Sequence, residues 1–489
     1  MEMEKITLEE LNEILGLTIK KDEINKLLVF LCLLSAYTED SQFNISFNAP
    51  SSTGKTYIPL EIATLFPEED VKKLAYCSPA SFFHDVGEYV KEKEGYIVNL
   101  ERKILIFVDQ PHTLLLQHLR PLLSHDQKEI QIKITDKGEK YGLRTKNIFI
   151  KGFPAVIFCT GNLKIDEQEA TRFLLLSPET NQEKIREAIN QKIRKETDIK
   201  AYQSWLENDS KRQLLKERIK CIKNEHISEI KIASPEKIKE TFFQKNKILK
   251  PRHMRDISRL ISIAKILALL NLWDRERDGS TIIANDEDIQ QAFQIWDTIS
   301  ESQELNLPPY VYNIFCEVIL PSYRETQEGI TRQEILKKYL EVYGRPLADW
   351  QLRQQIIPML EASGLITQQP DPNDKRKILI FPMIDTLPHH PTHYLSETGN
   401  SDIEIVERDS EGNPTLIRCE VYGEKELFKK GKCLKCGKEN TWVMKSAGNN
   451  ICYECHKEIE ARETQESNKN SIKKPGGKDE QKLNSSKGN

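Results

Sequence analysis

Residues 43–56 constrain the chain most. A short apolar run, FNISFNA (43–49), passes through Ala49-Pro50-Ser51-Ser52-Thr53-Gly54-Lys55-Thr56 into the helix-like YIPLEIATLF. The loop is the pattern G-x-x-x-x-G-K-[ST] with Ala in its first place, and a strand before it and a helix after it give that pattern its meaning. Successive backbone N–H groups in such a loop form a concave anion site. Pro50, Ser51, Ser52, Thr53 and Gly54 would line it, Lys55 would reach the β- and γ-phosphates of ATP, and Thr56 would offer its hydroxyl to Mg²⁺.

Two further runs, KILIFVD (103–109) and AVIFCTG (155–161), are short, apolar and rich in β-branched or aromatic residues, as buried parallel strands are. The first ends at Asp109, the acidic residue a phosphate loop needs on a neighbouring strand to hold the water shell of Mg²⁺. Gln110 follows, where many ATPases of this type carry Glu. Glutamine orients a water but takes no proton from it. Three readings of Gln110 stand open: slow hydrolysis, a substitute carboxylate elsewhere, or an engineered trap. Asn162, past the third run, suits hydrogen bonding to a γ-phosphate or water, although Thr-Gly-Asn is also turn-like in itself.

At 489 residues and about 150 residues per domain, some three domains are expected. A charged share of 30% against 38% hydrophobic reads as soluble and helix-rich. The net charge of −4 gives no global basic field, so nucleic-acid contact must come from local patches. The longest apolar stretch, 27–34, is far short of the roughly 20 residues of a membrane span. The N-terminus is acidic and amphipathic, unlike a signal peptide. Six cysteines (Cys32, Cys77, Cys159, Cys221, Cys316, Cys419) are scattered and four are paired, a cytoplasmic, metal-style usage.

The order of these motifs resembles the AAA+ ATPases and, within them, the branch holding the minichromosome-maintenance (MCM) replicative helicases and related mobile-element helicases. Residues 130–150 (IQIKITDKGEKYGLRTKNIFI) are similar to the family's hairpin before sensor 1. That likeness makes Lys137, Lys140, Arg144 and Lys146 candidate DNA contacts. Thr171-Arg172-Phe173-Leu174 resembles the S-R-F-D segment, whose Arg acts on a neighbouring subunit's ATP, and Arg172 takes that place. Residues 252–260 (RHMRDISRL) resemble the opening of the family's lid helix. Arg252 becomes the sensor-2 candidate, with Arg255 one turn on as its competitor. Residues 286–292 (DEDIQQA) resemble a later lid helix. The likeness covers roughly residues 40–300. It departs in having few residues before the first strand, in Gln110, and in a charged helical insertion at 181–245.

Residues 328–384 read as two helices and a hairpin, a succession similar to a winged helix. Ile335, Leu336, Tyr339 and Leu340 would face its core, and Trp350, Gln351, Arg353 and Gln354 lie on the recognition-helix candidate. Lys375, Arg376 and Lys377 sit on the wing, so Arg353, Lys375 and Arg376 join the DNA-contact candidates; a protein-binding winged helix is the alternative. Cys433, Cys436, Cys452 and Cys455 form two C-x-x-C pairs fifteen residues apart, spaced for four thiolates on one structural Zn²⁺.

The expected architecture is an α/β P-loop AAA+ core with a helical lid, then a winged helix and a small zinc ribbon. Its parts are a helical segment at 1–40, the core at 41–180, insertion and lid at 181–305, and a winged helix at 306–385. A linker (386–425), a zinc ribbon (426–460) and a disordered tail (461–489) follow. The expected protein is an ATPase and DNA helicase, translocase or replication initiator. It works as an oligomeric ring, a hexamer, on single-stranded or forked DNA, with ATP, Mg²⁺ and Zn²⁺, and a primase or other replication protein is a candidate partner. The alternative is a non-processive ATP switch that assembles on DNA and recruits partners, as a transposition or partition regulator does.

Overall fold

The computed structural model describes residues 3–75, 82, 87–136, 144–161, 171–326, 328–372, 374 and 376–383, and four strands beyond them. Side chains at 134–136, 144 and 145, and in those four strands, are not described. The chain forms two compact units, Met1–Leu387 and Pro388–Asn489. No described helix is long and apolar enough to cross a membrane.

The first unit opens with α1 (Leu8–Gly16), started by a Thr7–Glu10 capping box, and α2 (Glu23–Ser35). A helix apolar on all sides must be covered on all sides, and residues 27–34 of α2 are buried. Next come β1 (Ile45–Asn48), α3 (Tyr57–Ala63), β2 (Val71–Leu74), β3 (Glu88–Val90), β4 (Gly95–Asn99), β5 (Ile104–Phe107) and α4 (Thr113–Leu123). They are followed by β6 (Glu129–Asp136), β7 (Arg144–Lys151), β8 (Ala155–Thr160) and β9 (Leu174–Leu176).

Five of these strands make a parallel sheet in the order β2-β5-β8-β1-β9. The three strands read from sequence are its middle members, and β8 lies beside β1. Both faces are covered, so alternate residues along one strand serve different cores. Ile104 and Ile106 face the α2 side, while Leu105 and Phe107 pack with the leucines of α4. The expected hairpin is present as β6–β7, but it belongs to a four-stranded sheet, β3-β4-β7-β6. That second sheet meets α4 through Val98, Ile130, Ile148 and Ile150.

The 181–245 region is helical at Gln182–Thr197, Ile199–Glu207, Ser210–Glu225 and Pro235–Lys245, and it also contributes strand Glu229–Ile232. That strand pairs in parallel with Thr281–Ala284, between helices His253–Leu270 and Asp286–Glu304. The 181–245 region is therefore bonded to the layer that these two helices flank. A buried pair, Arg275–Asp288, fixes the start of the second lid helix, with contacts of 2.8 and 2.7 Å.

Residues 307–380 close around a separate core of helices and the hairpin Ile366–Pro370/Ile378–Pro382, with Ile330 bridging to Ile380. Ile335 and Tyr339 are buried as expected and Leu336 is half-buried. Leu340 is 48% exposed, and Tyr343 takes the inward place, because a pure four-residue step from Ile335 stays on one helix face. The second unit holds an antiparallel meander, Glu404–Arg408, Pro414–Val421, Glu424–Gly431 and Thr441–Met444. The expected linker at 386–425 thus carries two of its strands, and the 425/426 boundary falls inside a third.

β9 ends the central sheet, and its free edge is met by a side chain. The Gln303 amide accepts from Leu175 N–H at 3.0 Å and donates to Leu175 C=O at 2.7 Å. Gln303→Leu leaves both backbone groups unpaired in the interior and lowers unfolding free energy by about 2–4 kcal/mol. Urea denaturation monitored by tryptophan fluorescence reads that loss.

Candidate functional site

The register aligns the strand ends. Asn48 pairs with Thr160 and Phe107 with Phe158, so two residues past Phe107 brings Asp109 level with Thr160. The loop after β1 and the acid after β5 therefore lie at one carboxyl edge, two strand spacings or roughly 10 Å apart. Ligands of open parallel sheets bind at that edge.

Between Ala49 and Thr56 the backbone turns through left-handed conformations at Ser52 (φ 65°) and Gly54 (φ 92°). Such turns aim consecutive N–H groups inward. The loop begins on the ladder, Ala49 N–H donating to Thr160 C=O at 3.3 Å. Thr53 Oγ1 and Lys55 Nζ both donate to Pro50 C=O, at 2.9 and 3.3 Å. From below, the Cys159 thiol donates to Lys55 C=O at 3.3 Å. Burial pushes that thiol up to about 12, with a hydrogen bond to Thr56 and the Lys55 charge acting against the rise. Asp109 Oδ1 accepts the Gln110 N–H at 2.8 Å, and Gln110 Oε1 accepts from the Thr160 hydroxyl at 3.1 Å.

These residues fit a magnesium triphosphate. Among the described residues Asp109 has no cation partner and Lys55 forms no ion pair. No atom lies within 4 Å of where a Cβ on Gly54 would stand. Carboxylate, hydroxyl and ammonium are the donor set such a ligand requires.

The arginines gather elsewhere. Leu174, at the start of β9, pairs with Ile45, at the start of β1. Arg172 therefore precedes the sheet's amino edge, opposite its own phosphate loop. Its Nε donates to Ser124 Oγ at 2.9 Å, past the end of α4; that eleven-residue helix spans about 16 Å from one edge toward the other. The helix His253–Leu270 reaches the same place. Arg255 donates to the Thr171 hydroxyl, and Arg259 donates to Thr171 C=O at 2.5 Å and to Asp256 at 3.2 Å. Arg252 engages Asp256 at 2.9 Å and Asn306, and among the described residues its buried Nη2 has no partner. Burial lowers the Arg259 guanidinium from its usual value, with Asp256 opposing the shift.

One chain thus brings Lys55, Thr56, Asp109 and Gln110 together, and separately Arg172, Arg252 and Arg255. Among the described residues no hydrogen bond or ion pair joins the two sets. Thr160, Ser124, Thr171 and Arg259 are contacts that motif reading missed. Only Arg259 left a trace, in the helical spacing of Arg252, Asp256 and Arg259 along one face.

Lys146 Nζ stands 5.6 Å from the centre of the Tyr96 ring. Arg353 is exposed, and Arg376 is exposed with Asp374 3.6 Å away. Asn162, Lys137, Lys140, the Arg144 side chain, Lys375, Cys433, Cys436, Cys452 and Cys455 lie outside the described residues. Among the described residues no cluster of His, Cys, Asp and Glu is arranged to hold a metal ion.

Neither a protein-family model nor a curated protein matches the chain. Among solved structures, a full-length MCM homolog from Methanopyrus kandleri is similar at 14% sequence identity and a TM-score of 0.37. The match covers 62% of this chain and 63% of that one, under two thirds of its length.

Cys159 is buried and its thiol is held well above the usual cysteine range, so it stays protonated and shielded at pH 8. Peptide mapping after N-ethylmaleimide treatment at that pH should find Cys159 unmodified in the folded protein and labelled after unfolding in urea.

Proposed function

We propose that the chain is an ATPase of AAA+ type whose catalytic sites are shared between copies and whose turnover drives work on DNA. The separation of its two sets of polar residues carries this reading. A phosphate loop and an acidic strand end sit at one edge of the sheet, and three arginines sit at the other. Phosphoryl transfer spreads negative charge over the γ-phosphate oxygens, and a planar, permanently charged guanidinium stabilises it. Arginines held at the far edge meet such charge only on another copy, which favours a closed ring, with six copies as the expected number.

In that ring the loop N–H groups and Lys55 would hold the triphosphate, while Thr56 and Asp109 would hold Mg²⁺, which would supply positive charge to the phosphate oxygens. Water forms its bond to the γ-phosphorus, and the bond to the β–γ bridging oxygen breaks with its electron pair leaving on ADP. Arg172 of one copy, with Arg252 and Arg255 near it, faces the γ-phosphate held by the next. Asn162 would add a polar contact past the end of β8.

DNA is the proposed partner. Support comes from the β6–β7 hairpin with Lys137, Lys140, Arg144 and Lys146, and from the helices and hairpin at 307–382, read as a winged helix presenting Arg353, Lys375 and Arg376. Helicase or replication-initiator work on single-stranded or forked DNA is the favoured form, with a primase as a candidate companion. Gln110 favours a second form, a slow ATP switch that organises partners on DNA. ATP turnover stimulated by DNA without strand displacement would select the switch.

Lys55→Ala should lose nucleotide binding, and Arg172→Ala should keep it while turnover falls at least about a hundredfold. Mixing the two inactive proteins should restore partial ATPase activity, since some interfaces then join an intact loop to an intact arginine. Full activity of Arg172→Ala alone would falsify the shared site.

The four cysteines are proposed to hold one structural Zn²⁺. Four thiolates leave no open position for water, so the role is to fold the module. Elemental analysis should find about one zinc per chain, and Cys433→Ser/Cys436→Ser should remove it without abolishing nucleotide binding.

A further inference from the structure

Thr160 touches both halves of the nucleotide-side cluster. Its backbone C=O receives the Ala49 N–H at the root of the phosphate loop. Its hydroxyl donates to Gln110 Oε1 at 3.1 Å. The residue is 2% exposed and β-branched within a parallel strand, so its rotamer is restricted by its own backbone and by the neighbours that bury it. Gln110 is the opposite case. It is exposed, and its long side chain has much rotamer freedom to lose on ordering. Its backbone is steadied by the bond from its N–H to Asp109 Oδ1.

We infer that Thr160 is a positioning residue for hydrolysis that acts through Gln110, fixing which end of the carboxamide faces the phosphate site. The inference rests on the ATPase reading above. A carboxamide carries its oxygen and its NH₂ group on opposite arms of one carbon. With the oxygen held against β8 by the Thr160 hydroxyl, the NH₂ group is turned away from that hydroxyl and left to face the carboxyl edge of the sheet.

The chemistry then follows from the polarity of that group. An NH₂ group donates, so it suits a γ-phosphate oxygen or a lone pair of the attacking water, and it takes no proton. During hydrolysis the proton leaving the water passes to a γ-phosphate oxygen, and Gln110 contributes alignment and hydrogen bonding. Without the Thr160 hydroxyl the amide is free to rotate. Nucleotide binding through Lys55 and the loop is then retained, and the step after binding slows.

The test uses the full chain. Nucleotide affinity is measured with fluorescent ATP, and steady-state turnover is measured for wild type, Thr160→Val, Thr160→Ser, Gln110→Ala and the double variant Thr160→Val/Gln110→Ala. Thr160→Val keeps the branched shape and should lower kcat about tenfold, with KM and nucleotide affinity within about twofold. Thr160→Ser, which keeps the donor, should recover most of the turnover. The double variant should be no slower than Gln110→Ala, because residues acting as one unit are not additive. Thr160→Ala removes the same hydroxyl with a smaller side chain and must follow Thr160→Val. The inference is overturned by wild-type kcat in Thr160→Val, by Thr160→Ser as slow as Thr160→Val, or by losses that multiply in the double variant. A wild type that hydrolyses ATP while Thr160→Val matches it ends this inference alone, whereas a wild type that binds no nucleotide ends the ATPase reading and this one with it.

Discussion

Strand β1 is bonded on one side to β8 through four residues and on the other to β9 through three, and that central place sets the position of everything polar nearby. Asn48 closes the ladder opposite Thr160, so the loop leaves the sheet at the level where β5 delivers Asp109. The Asn48 carbonyl also accepts from the Ser177 hydroxyl at 2.7 Å, and the same hydroxyl receives the Tyr310 N–H at 3.0 Å. The root of the phosphate loop, the turn after β9 and the first helix of the 307–380 core are thus joined through one buried serine. Buried groups of this kind are costly to leave unpaired, which ties their positions together.

The charges are sorted by the same frame. Strands place their ends at one edge and helix α4 runs back toward the other, so Asp109 and Arg172 are kept apart although both flank the same sheet. At the arginine edge, Asp256 offers one carboxylate oxygen to Arg252 and the other to Arg259. A buried carboxylate between two guanidiniums offsets the repulsion that Arg252, Arg255 and Arg259, spread over about two helical turns, would otherwise suffer. The helix His253–Leu270 and the segment bearing Arg172 are held together here, with Thr171 as the point that Arg255 and Arg259 grip.

Sequence carried the loop, the acid after the second strand and the β6–β7 hairpin, because each depends on local pattern: a motif with its flanks, a run of buried apolar residues, a turn between two strands. It did not carry β2, whose VKKL sits at an edge where lysines are tolerated. Nor did it carry β9, too short at three leucines to be told from a piece of helix. Strand Glu229–Ile232 hid inside a charged helical stretch because its partner, Thr281–Ala284, lies fifty residues on. In the site, Lys55, Thr56 and Asp109 were legible. Thr160 was not, since a threonine ending a strand looks like any other until Gln110 is found against it. The distance between the arginines and the loop is a property of strand order, which no local pattern contains.

Gln303 has a consequence beyond its own two hydrogen bonds. A short terminal strand with free N–H and C=O groups is a template on which another chain can add itself. Here the carboxamide of a lid helix stands in for one residue of that absent neighbour, offering an acceptor and a donor in the places a sixth strand would fill. Lateral growth of the sheet past β9 is therefore blocked at Leu175.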